Sequence, residues 1–178
     1  MHAFIEFIMG PLVWISVIIF LAGVVFRLYR LFKDVKERED FIFEYISLKY
    51  SLRSIGAWLI PYFPASTRKN PVFYGISYLF HLLLFITPLF LLAHVLLLEE
   101  SMNWSWITIN ESVADILTVA VILALIFFAV RRLVVPEVKF LTRLSDFVFI
   151  LVVALPFITG FLAYHQFFAY RFMVITHV

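Results

Sequence analysis

Charged and apolar positions separate along this chain into blocks too long for the alternating faces of a soluble helix or strand. Phe7 to Phe26 runs 20 residues without a charge and is closed by Arg27. Asn70 to Leu98 runs 29, between Lys69 and Glu99. Ile116 to Val130 runs 15 and extends back to Ser112, because Asp115 falls within one turn of its start. Phe147 to Tyr170 runs 24, between Asp146 and Arg171. A helix crossing a bilayer needs roughly 20 apolar residues, so the pattern predicts four transmembrane helices at about 7–29, 71–98, 112–131 and 146–168. The expected fold is all-α, an integral membrane helix bundle in a single domain 1–178. The ten-residue alternating segments of a membrane barrel do not occur.

Composition agrees. Of 178 residues, 64% are apolar and 15% charged, with a mean hydropathy of +1.03, against about 45–50% and about 25% in soluble domains. A water-soluble core of this size cannot hide so much apolar surface, so lipid is the solvent for most of it. The chain has no Cys, which excludes a disulfide scaffold and Cys-ligated iron–sulfur clusters within it. The first apolar run is expected to be retained rather than cleaved, since its basic residues follow it and no A-x-A site is present.

Charge sets an expected orientation. Nine Lys/Arg fall in 27–69 and four in 131–143, whereas 99–111 carries only Glu99, Glu100 and Glu111. Basic loops are cytoplasmic, which puts the N-terminus outside (periplasmic) and segment 30–70 in the cytoplasm. Within that segment, 30–50 reads as an extension of helix 1 plus an amphipathic surface stretch. Trp58, Tyr62 and Phe63 beside Pro61 and Pro64 suit an interfacial anchor or a docking surface. Trp104 and Trp106 read as belt residues.

Histidine carries the candidate chemistry. Ionisable groups inside a span are expensive and mark functional sites by default; an interhelical hydrogen bond is the plainer alternative. His81 and His94 fall on the second predicted helix, His165 at the end of the fourth, and His177 near the end of the chain. Thirteen residues at 1.5 Å rise place His81 and His94 about 20 Å apart along one axis, suited to one haem in each leaflet. Their azimuths differ by about 140° on an ideal helix, and a kink at Pro88 would restore a common face. Haem iron in an electron-transfer cytochrome b takes two imidazoles. His94, His165 and His177 lie toward the outer leaflet, and His81 has no partner at its depth. Asp115 suits the first turn of its helix or a proton acceptor at an outer quinol site. Arg131 and Arg132 suit topological anchors or haem-propionate partners.

The segments FHLLLFITPLFLLAHVLLLEE (80–100), ADILT (114–118), RRLVVPEVKFLT (131–142) and TGFLAYHQ with ITHV (159–178) resemble membrane cytochrome b subunits related to the gamma subunit of respiratory nitrate reductase. Within that group they are most similar to subunits of the multihaem cytochrome c-linked transmembrane redox complexes of sulfate reducers. The resemblance implies a bacterial inner-membrane protein with one or two b haems and menaquinone as the candidate quinone. It implies electron passage between a quinone pool or periplasmic multihaem cytochrome c and a cytoplasmic iron–sulfur subunit. Lipid, those proteins and quinone are the expected partners, and nucleic acid is not. The resemblance also implies a fifth helix beyond Val178, begun by His177 as partner of His94 on the outer haem and carrying the ligand opposite His81. The given sequence would then be incomplete, or the subunit shortened and that ligand absent. His165 is the alternative outer ligand. A haem-free membrane anchor is the second reading and a small transporter the third, ranked last because its halves share no repeat.

Overall fold

The computed structural model describes residues 2–39, 41–167 and 175–177. The described residues form helices and connecting turns, with no strand among them. Four helices are long and apolar enough to cross a membrane, over 10–38, 71–90, 111–134 and 144–164. The protein is therefore an all-α, multi-pass membrane protein. The chain divides into two compact units, one running up to Pro64 and the other over Ala65–His177.

The first unit is dominated by α1, Val13–Arg38, preceded by a π turn at Ile8–Leu12 that holds Pro11. Proline has no N–H for the regular ladder, and the wider turn absorbs that loss. α1 runs nine residues past the expected boundary at 29. Its charged end is a good helix former, and Lys33 and Glu37 pair one turn apart at 3.6 Å. α2, Leu48–Leu59, exposes Leu48, Leu52, Ile55 and Leu59. That spacing is a single apolar stripe, as in a helix lying in the membrane interface.

In the second unit, α3 (Pro71–Phe90), α5 (Glu111–Val134) and α6 (Leu144–Tyr164) form the core, with α5 packed against both others. Phe80 and Leu83 of α3 meet Val121, Ala124 and Leu125 of α5 and Ala154 of α6. Ala124 and Ala154 are the small residues of this cluster, of the kind that lets helices pack closely within lipid. Outward positions such as Ile116, Leu123, Phe149 and Val152 are large, apolar and exposed. α5 opens on Asn110, whose Oδ1 accepts from Ser112 N at 2.9 Å, and ends on Arg131 and Arg132, so both termini complement the helix dipole. Val135 is extended before Pro136, which stops α5. Asp146 caps α6 through Arg143 N at 2.8 Å and pairs with Arg132 at 3.2 Å.

The second predicted helix is not continuous. α3 ends at Phe90, Leu91 is extended, and α4 resumes over Leu92–Met102. His81 and His94 therefore sit on different helices, and their spacing along a single 71–98 axis does not apply. Pro88 begins the break by removing an N–H from the ladder.

Replacing Leu125, 4% exposed, by Ala should destabilise the second unit by about 2–5 kcal/mol. Ile116→Ala, at a position 67% exposed, should leave thermal unfolding in detergent unchanged. Equal effects of the two would contradict the packing.

Candidate functional site

The break at Leu91 releases carbonyls that no helical N–H can reach, and each finds another donor. Pro88 O accepts from the His94 ring through Nδ1 at 2.8 Å. Leu89 O accepts from the Trp106 indole N–H at 2.8 Å, and Phe90 O from Ile109 N at 2.9 Å. Trp106 is thus more than a belt residue; it pins the loop before α5 to the broken helix.

A cavity of about 660 Å³ lies between the break, α5 and α6. Its wall is largely apolar, with Leu84, Pro88, Leu91, Val153, Phe157 and Phe161 among its residues. His94 and His177 both line it, with ring centroids 6.1 Å apart and planes within 7°. The rings are stacked, so this distance brings two imidazoles to one place without aiming both ring nitrogens at a shared point.

Hydrogen bonding engages one nitrogen of each ring. His94 Nδ1 is engaged by Pro88 O, and His177 Nδ1 lies 3.2 Å from Thr159 Oγ1. With the hydrogen on Nδ1, each Nε2 keeps its lone pair, the usual arrangement behind a metal-bound imidazole. His177, outside the four spans, is held below the ordinary imidazole range by burial and by the facing His94; a neutral ring is the ligating form. Among the described residues no group of three or more His, Asp or Glu can hold a bare ion.

One buried atom independently points to an occupant. Thr118, Thr142, Thr159, Ser16 and Ser101 each donate to the carbonyl four residues back. Thr87 does not. It is 3% exposed, it lines the cavity, and its Oγ1 has no hydrogen-bond partner among the described residues.

His165 and His81 stand elsewhere. His165 Nε2 lies 3.2 Å from Asp115 Oδ2, and its ring packs on Phe161 at 4.4 Å. Asp115, seen from sequence only as a first-turn residue or a proton acceptor, lines the cavity at its acidic end, as does Glu111. His81 is exposed, with Nδ1 2.6 Å from Ser77 O, and no other imidazole of the described residues is in ring contact with it. Thr87, Thr159 and Gly160 were missed from sequence as site residues, because small residues in a span carry no charge signal, and Trp106 was read there only as a belt residue.

Fold and cavity together define a multi-pass membrane protein with a paired-imidazole site. The chain belongs to the same family as a protein of Nitratidesulfovibrio vulgaris (strain Hildenborough), to which it is 35% identical over 161 residues, 88% of this chain and 71% of the relative. That relative is named only "Protein" and so brings no activity with it. No family model and no solved structure match the chain.

Trp106→Phe keeps the aromatic bulk and removes the donor to Leu89 O. It should cost about 0.5–1.5 kcal/mol, the net worth of one hydrogen bond, read as a lower unfolding temperature in detergent. An unchanged midpoint would refute the pinning role.

Proposed function

We propose that this protein is a haem b-carrying membrane subunit that conducts electrons across the bilayer within a respiratory complex. The observation that carries the reading is the His94–His177 pair, its rings 6.1 Å apart in an apolar cavity with both Nδ1 atoms engaged. Bound haem would supply one-electron chemistry, its potential set by the axial imidazoles and their surroundings. The chain's part is to hold the two nitrogens, exclude water with the apolar wall, and present the buried Thr87 hydroxyl to the occupant. His81, its Nδ1 also tied to a carbonyl, is the proposed ligand of a second haem whose other ligand comes from outside the described residues.

The orientation proposed is N-terminus periplasmic, in a bacterial inner membrane, with 13 of 14 basic residues cytoplasmic. The His94–His177 cavity opens near Glu111 and Asp115 at the N-terminal end of α5, remote from Arg131 and Arg132 at its other end. In the proposed orientation that end of the cavity would face the periplasm. Asp115 with His165, and the Tyr164 hydroxyl bonded to Glu111, cluster proton-accepting groups there, which favours menaquinol or a periplasmic multihaem cytochrome c as electron partner. The basic loops 30–70 and 131–143 would face a cytoplasmic iron–sulfur subunit.

The expected result in purified membranes is a b-type pyridine haemochrome. His94→Ala and His177→Ala should each abolish the same haem, and His165→Ala should retain it. A membrane preparation containing the protein but no b haem would leave the haem-free anchor as the reading. Separately, a cysteine at Lys49 should resist an impermeant thiol reagent applied from the periplasm of intact cells. Efficient labelling there would invert the topology.

A further inference from the structure

The seat of His177 is shaped by a glycine. A Cβ built on Gly160, in the last turn of α6, would lie 2.8 Å from His177 Cε1, 3.2 Å from Nδ1 and 3.5 Å from Nε2. Side chains do not tolerate the first of these distances, so the ring occupies the volume that any other residue at 160 would fill. Gly10, Gly23 and Gly56, by contrast, have nothing within 4 Å of such an atom. Gly160 is in ordinary helical backbone, where glycine weakens a helix by roughly 0.5–1 kcal/mol relative to Ala. Its backbone conformation does not require it, and the imidazole against it does.

The preceding residue fixes which nitrogen is free. Thr159 Oγ1 lies 2.7 Å from Leu155 O and 3.4 Å from Pro156 O. Both are carbonyls, so the single hydroxyl hydrogen points at backbone. Toward His177 Nδ1, 3.2 Å away, the same oxygen can only accept. A neutral ring has one hydrogen, so with Thr159 Oγ1 accepting at Nδ1 and the Pro156 carbonyl also bonded to the ring, that hydrogen is on Nδ1 and Nε2 keeps its lone pair. An acceptor behind the distal N–H also raises the basicity of a ligating imidazole.

We infer that Thr159 and Gly160 are positioning residues for His177, Gly160 opening the space for the ring and Thr159 selecting Nε2 as the free nitrogen. This inference rests on the haem reading for its consequence and on the α6 geometry for the seat itself.

The test uses the full chain in membranes with two kinds of readout. One is the haem: its low-spin bis-imidazole electron paramagnetic resonance signal and its reduction potential. The other needs no haem: the rate at which diethyl pyrocarbonate modifies His177, followed by mass spectrometry. Gly160→Ala should lose the bis-imidazole signal as His177→Ala does, and His177 should be modified several-fold faster. Thr159→Val should keep the haem but raise its potential, because the weaker imidazole donor stabilises ferric iron less; Thr159→Ser should restore it. A wild-type signal and a wild-type modification rate in Gly160→Ala would overturn the seat. An unchanged potential in Thr159→Val would overturn the role of the hydroxyl. If the wild type holds no b haem while Gly160→Ala still exposes His177, the seat stands and the haem reading falls.

Discussion

A backbone carbonyl in hydrocarbon must find a donor inside the protein, since no water is there to supply one. The second unit is organised around that requirement at Leu91. Ending α3 there frees the carbonyls of Pro88, Leu89 and Phe90, and each receives a hydrogen bond from a different part of the chain: a ring, an indole and a backbone amide. The indole and the amide come from the segment leading into α5, so the break and the start of α5 are fastened together. The ring comes from His94, which is thereby oriented by the same defect that created the space in front of it.

A continuous helix over 71–98 would have had no free carbonyl to orient His94. It would also have left the ring at the azimuth that an unbroken 13-residue spacing dictates. The break trades helical hydrogen bonds for three tertiary ones and opens a cavity of about 660 Å³ between three helices. α5, packed on both α3 and α6 through Val121, Ala124 and Leu125, keeps the cavity from collapsing. Glu111 and Asp115 at its first turns place acidic groups at one end.

The spans were legible in sequence because lipid demands long apolar runs, and the run lengths located the third and fourth helices to within a turn or so. The first helix continues through Lys33 and Glu37 to Arg38, as its expected extension into 30–50 has it, whereas the second, expected over 71–98, ends at Phe90. Pro88 was legible as a disturbance, but not as a full break, since proline inside a membrane helix often produces only a kink. His94 and His177 could be singled out as rare ionisable groups. Their approach to 6.1 Å could not, because it depends on where a turn returns the chain. Gly160 and Thr159 were illegible for a simpler reason: in a span rich in apolar and small residues, one more Gly or Thr carries no signal until the ring beside it is seen.

The remaining polar groups of the cavity are informative by their economy. The hydroxyls of Ser16, Ser101, Thr118, Thr142 and Thr159 each donate to the carbonyl four residues back. One nitrogen of each cavity imidazole is engaged as well, His94 by the Pro88 carbonyl and His177 by the Thr159 hydroxyl oxygen. The Thr87 hydroxyl has no partner among the described residues, and the tautomers leave an Nε2 lone pair on each ring. An unsatisfied buried hydroxyl alone costs about 1–3 kcal/mol, and at low dielectric two uncompensated nitrogens add to it. The proposed haem would offset these costs, with His94 and His177 as the residues that would hold it against the apolar wall. The same arithmetic explains why His165 stands apart: paired with Asp115, its ring is already satisfied and has nothing to gain from the cavity.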